Sequence, residues 1–93
     1  MPLRLIVSIK TLAGKGDEYL GEALSHVESV RAEPGCEQYD YFRNGEDPDS
    51  FVLVERWTNE DLWQTHMGVL RARPPRSGPP LTASPPSLER YDV

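Results

Sequence analysis

The chain is short of cysteine, of basic charge and of long apolar runs, and each shortage closes off a class of protein. A single cysteine, Cys36, in 93 residues has no partner for an internal disulfide. The two histidines, His26 and His66, lie far apart in the chain, so together with one cysteine they make no zinc or iron ligand set, and no metal is expected. Ten basic against fifteen acidic residues leave a formal net charge of −5, which repels a phosphate backbone and argues against a nucleic acid partner. No apolar run approaches the roughly 20 residues that span a bilayer, and no signal-peptide pattern opens the chain; no membrane partner and a cytoplasmic location are the expectation. Gly14 and Gly16 lack the rest of any phosphate-cradling fingerprint. No cofactor is therefore expected.

What is present is regular patterning. Over residues 3–10 (LRLIVSIK), Leu3, Leu5, Val7 and Ile9 alternate with Arg4, Ile6, Ser8 and Lys10, the period of a strand with two different faces. Asp17 and Glu18 follow a glycine-containing break and suit a helix N-terminus. Leu20, Ala23, Leu24, Val27 and Val30 then recur at helical spacing, and the helix should end near Ala32 because Pro34 disfavours helical geometry in Glu33. Pro34 and Gly35 suit the centre of a type II turn. Residues 36–43 (CEQYDYFR) alternate again, residues 44–50 (NGEDPDS) are a cluster of turn formers, and residues 51–57 (FVLVERW) form a strand that is apolar on both sides. Thr58 and Asp61 resemble a capping box opening a second helix through Leu62, Trp63, His66, Met67 and Leu70. Residues 71–86 (RARPPRSGPPLTASPP) hold six of the nine prolines and read as an extended, solvated connector leading to a last strand over residues 87–93.

The order strand, helix, strand, strand, helix, strand over a single domain of residues 1–93 predicts an α+β, ferredoxin-like βαββαβ fold, with two helices on one face of a four-stranded antiparallel sheet. A domain this small buries only about 60 % of its unfolded surface. Its uncovered sheet face therefore calls for a second copy, and a homodimer is expected, with Tyr39 and Tyr41 on the dimer-facing side.

The turn Glu33-Pro34-Gly35-Cys36, the strand with paired tyrosines, the loop Glu46-Asp47-Pro48, the strand ending Glu55-Arg56-Trp57 and the helical His66 together resemble the antibiotic biosynthesis monooxygenase family over roughly residues 3 to 67. That resemblance implies a dimeric α+β barrel with a pocket between each sheet and its helices. Its members include cofactor-free oxygenases of polycyclic phenols or quinols, haem-degrading enzymes, and an isomerase of a small signalling sugar phosphate. Trp57 matches the pocket tryptophan of the first two groups. His66 lies about one residue short of the axial ligand of the haem degraders, and Trp63 falls where the polyketide enzymes have a tyrosine. Leu53 replaces an asparagine of the polyketide enzymes, Ser8 is offered where the haem type has an asparagine, and the proline-rich segment replaces a more helical ending.

The candidate catalytic residues are thus His66, Trp57 and Glu55, with Phe51, Leu53, Trp63, Met67 and Ser8 as substrate-binding residues. An imidazole is suited to proton transfer near neutral pH, so His66 is expected to take a proton from a phenol or hydroquinone. Glu55, a carboxylate in an apolar strand, needs a partner such as His66. A flat aromatic ligand would stack on Trp57. The expected function is a cofactor-independent monooxygenase acting on a small aromatic phenol or quinol; the alternatives are a non-catalytic dimer binding a small ligand, or a haem-binding relative.

Overall fold

A computed structural model describes all 93 residues. The elements run β1 (Leu3–Lys10), α1 (Gly16–Arg31), β2 (Cys36–Arg43), β3 (Ser50–Trp57), α2 (Glu60–Ala72) and β4 (Ser87–Asp92). The strands lie in the order β2-β3-β1-β4, every neighbouring pair antiparallel. This is the ferredoxin-like α+β arrangement. Period-two patterning places Leu3, Leu5 and Ile9 of β1 with Phe51, Leu53 and Trp57 of β3 on one face, where Val27 and Val30 of α1 and Trp63 of α2 close a single core over them. No helix is long and apolar enough to cross a membrane.

Several local details depart from the sequence expectation. On α1 Tyr19 joins the packed residues, whereas Leu24 is exposed because it sits one step round from the buried row. Asn59, not Thr58, caps α2, its side chain accepting from the amide of Leu62 at 2.9 Å. Thr58 is occupied elsewhere, donating to Glu37. The helix also passes through Gly68 and continues to Ala72.

The clearest correction concerns β2. A bulge between Cys36 and Gln38 sets Cys36 opposite Trp57 and Tyr39 opposite Glu55, so Cys36, Tyr39 and Tyr41 all face the helices. The tyrosines are core and cavity residues, not dimer-facing ones. The opposite face carries Gln38, Asp40 and Phe42.

The connector is not a free linker either. Leu81 is buried, its carbonyl accepts from the amide of Leu12, and Arg76 reaches back to Glu18 and Glu22 of α1 at 2.9 and 2.8 Å.

The turn joining α1 to β2 packs closely against α2. Gly35 has φ of +83°, the Cys36 amide donates to the carbonyl of Glu33, and a Cβ on Gly35 would lie 2.4 Å from Leu62 Cδ1. Both the backbone conformation and the space require glycine. Gly35→Ala is expected to lower the unfolding free energy by about 1–3 kcal/mol, read from the midpoint of a urea titration; an unchanged midpoint would show that α2 yields to the methyl group without cost.

Candidate functional site

Four segments converge behind β3. Trp63, His66, Met67 and Leu70 project from one face of α2, their spacing of three and four residues fixing the row. Glu55 and Trp57 come from β3, Tyr39 and Tyr41 from β2 beside it, and Glu33 from the turn after α1. Between sheet and α2 lies a cavity of about 430 Å³ whose wall includes Leu53, Glu55, Tyr39, Tyr41, Trp63 and Met67. It lies within the size range of small-molecule sites and is predominantly apolar.

Glu55 is the acidic group in that wall. Its Oε1 accepts from the indole Nε1 of Trp57 at 3.0 Å and lies 3.9 Å from Nε2 of His66. Its Oε2 has no protein partner. Since no fully buried side-chain nitrogen or oxygen is left without a hydrogen bond, Oε2 is the oxygen open to the cavity. Burial pushes the carboxyl above the ordinary glutamate value of 4.5, reinforced by the charge of Glu33 and opposed by the Trp57 hydrogen bond and by His66.

His66 lies behind Glu55. Its side chain is 1 % exposed and its Nδ1 is 3.0 Å from Oε1 of Glu33. The ring stacks on Trp57 with centroids 4.6 Å apart and meets the edge of Tyr39 at 5.7 Å. With Nδ1 held by Glu33, Nε2 is the ring nitrogen turned toward Glu55. Glu33, Glu55 and His66 are thus one chain of proton-holding groups leading from the partly exposed Glu33 to the cavity wall.

The structure therefore distributes the sequence candidates unevenly. Glu55, Leu53, Trp63 and Met67 line the cavity. Trp57 and His66 are buried behind it, so neither presents a face to a ligand there. Phe51 is core, packed on Tyr19 with centroids 5.3 Å apart, outside the cavity wall. Ser8 lies on the opposite face of the sheet, since it pairs with Val52 and Ser87 at positions that alternate away from the helices. Four wall or relay residues had other expectations attached: Glu33, seen only as part of the turn before β2; Tyr39 and Tyr41, placed on the wrong face; and Arg73, assigned to a solvated linker but lining the cavity. The register of β2 against β3, which sets Tyr39 opposite Glu55 and Tyr41 opposite Leu53, is what places the tyrosines. Cys36, half-buried beside this cluster, has its thiol pushed up by burial and by the charges of Glu33 and Glu55, so it is not an activated nucleophile.

Comparison with known proteins places this geometry. The family model for antibiotic biosynthesis monooxygenases matches residues 2–69. The chain belongs to the antibiotic biosynthesis monooxygenase family. YcnE of Bacillus subtilis, which carries a provisional monooxygenase name, is 40 % identical over 58 residues, 62 % of this chain and 61 % of YcnE. The aligned regions span about three fifths of the curated relatives that it matches. Among solved structures of this fold, PA3566 from Pseudomonas aeruginosa is 27 % identical with a TM-score of 0.83, covering 97 % of this chain and 91 % of that one. MhuD, solved with two manganese protoporphyrin IX molecules per active site, is 19 % identical with a TM-score of 0.81, covering 98 % and 93 %, a likeness of fold alone.

Trp57→Phe keeps most of the apolar bulk of this family member's core but removes the donor to Glu55. The carboxyl should then titrate at a still higher pH, measured by carbon NMR of the Glu55 side chain. Because a raised folded-state value favours the protonated form, the variant's stability deficit should be small below pH 4.5 and grow as pH rises through the Glu55 transition, reaching about 1–3 kcal/mol near neutrality. A deficit of the same size at every pH would mean that Trp57 acts through packing only.

Proposed function

We propose that the protein is a cofactor-independent monooxygenase acting on a small aromatic phenol or hydroquinone, with Glu55 rather than His66 as the group that meets the substrate. The observation that carries this is the unpartnered Oε2 of a desolvated carboxylate in the wall of an otherwise apolar cavity, backed by an oriented imidazole. A substrate hydroxyl donating to Oε2 loses its proton to Glu55. Raised basicity brings the carboxylate closer to a phenol's own than a solvated glutamate would be. His66 Nε2, with Nδ1 held by Glu33, receives or shares that proton once the 3.9 Å separation shortens to hydrogen-bonding distance.

The electron-rich substrate anion passes one electron to dioxygen, and the radical pair combines at a ring carbon to give a peroxide anion that takes up a proton as the hydroperoxide. At a ring carbon bearing hydrogen, loss of water then leaves a carbonyl. One oxygen atom enters the product and the other leaves as water, both substrate-derived electron pairs being accounted for. The protein contributes proton removal, ring orientation between Trp63 and Met67, and exclusion of water.

A haem-degrading reading fits the residues less well. An axial ligand must offer an imidazole nitrogen at the cavity wall, and His66 is buried between Glu33 and Glu55. Added haem is expected to produce no Soret shift that His66→Ala abolishes.

We also propose a homodimer, supported by the sheet face away from the helices. Ile6, Val52 and Val54 are only half-buried there and Phe42 is exposed, an apolar centre that a second copy would cover. Sedimentation at micromolar concentration should give a dimer and, for Val54→Arg, a monomer.

Oxygen uptake over a panel of hydroquinones and anthrones tests the chemistry. Glu55→Gln keeps an acceptor for Trp57 and should lower kcat/KM by about 10²–10⁴-fold; His66→Ala should also lower it. Because Glu55 must be ionised to act, the wild-type rate should rise with pH through a midpoint above 4.5. If wild type and both variants match the uncatalysed rate throughout, the oxygenase reading fails for these compounds.

A further inference from the structure

The cavity wall carries a cation as well as a carboxylate, and that cation has no partner. Arg31, Arg43, Arg56, Arg76 and Arg90 each pair with a carboxylate of the chain. Arg4 donates to Gln38, and Arg71 is exposed on α2. Arg73 differs from all of them. It sits at the C-terminal cap of α2, half-buried and lining the cavity, and only its backbone amide is engaged, with the carbonyl of Leu70. Its guanidinium, with five donors in a planar fork, is left facing a mostly apolar space.

Nothing in the wall neutralises it. Tyr39 is close enough to feel its charge, but burial pushes that hydroxyl up to about 12, so it is uncharged at neutral pH. Glu55 makes no ion pair with Arg73: its contacts are Trp57 at 3.0 Å and His66 at 3.9 Å. The wall can therefore accept a proton at Glu55 and hold an anion at Arg73, beside Leu70.

We propose that Arg73 is an anion-recognition residue of the cavity and that the substrate is a fused-ring phenol bearing a carboxylate, its hydroxyl directed to Glu55 and its carboxylate to Arg73. A carboxylate meets the guanidinium through two parallel hydrogen bonds, and against a mostly apolar wall such a pair is stronger and more directional than on an open surface. The position of Arg73 is set by its neighbours in the chain: α2 ends one residue before it, and Arg76, three residues on, is held on Glu18 and Glu22. The assignment takes the ring chemistry from the proposed function, but its test does not depend on turnover.

Calorimetric titration with 6-hydroxy-2-naphthoate and with its carboxamide, which has the same shape without the charge, provides that test. Wild type should bind the carboxylate at least ten-fold more tightly than the amide. Arg73→Gln should remove that preference by weakening the carboxylate alone, and Arg73→Lys should restore part of it. Equal affinities in wild type, a preference that survives Arg73→Gln, or no binding of either compound would overturn the assignment. Oxygen uptake with an uncharged naphthohydroquinone is measured separately. Discrimination without turnover leaves the anion site standing and removes the oxygenase, whereas turnover without discrimination does the reverse.

Discussion

A carboxylate inserted into an apolar strand must be supplied with donors or give up its charge, and the placement of Glu55 imposes that condition on everything around it. Trp57, two residues along the same face of β3, supplies an indole N–H, and His66 from α2 lies behind both. Because Trp57 is fully buried, its nitrogen needs an acceptor as much as Glu55 needs a donor. The pair is mutually satisfying, and the stacking of His66 on Trp57 ties α2 to it.

That tie propagates outward. His66 can remain buried because Glu33 holds its other nitrogen, and Glu33 can reach it only because the turn at Pro34 and Gly35 folds β2 back beneath α2. Gly35 lies against Leu62 at the start of the helix, so the tight turn, the helix and the relay form one packed unit. Substitution in any of them should be felt at the carboxylate, which is why a chemical role for His66 and a structural role are separated only by measurements that follow the proton, not by loss of activity alone.

Much of this was legible from residue patterning. Alternation and helical spacing predicted six elements in the observed order, and the convergence of Glu55, Trp57 and His66 followed from their places at the end of one strand and on the inward row of the next helix. What the pattern could not carry was parity across an irregularity. A single extra residue at the Cys36–Gln38 bulge puts Cys36 on the same face as Tyr39, and the tyrosine pair could be assigned to a face only through its register with β3. Ser8 was misplaced for the opposite reason: its strand was read correctly, but the polar member of an alternating pair was turned inward to serve a site, against the burial pattern of its own strand. Arg73 was out of reach because a composition dense in proline and arginine describes solvent-exposed chain in general. Only the contacts of Arg76 and Leu81 show this connector to be tied down.

The connector also bears on how an apolar cavity can coexist with two opposite charges. Left free, residues 73–86 would admit water, screening Arg73 and Glu55 alike and reducing each to a surface group of modest effect. Anchored by Leu81 at the end of β1 and by Arg76 on α1, the segment carries Pro86 and Leu88 against the cavity. Proline suits that task because a chain with few accessible conformations loses little entropy when pinned. The unusual composition of the ending thus has a physical consequence: it adds apolar wall beside Glu55 and Arg73, and a more apolar wall strengthens any hydrogen bond that a ligand makes there.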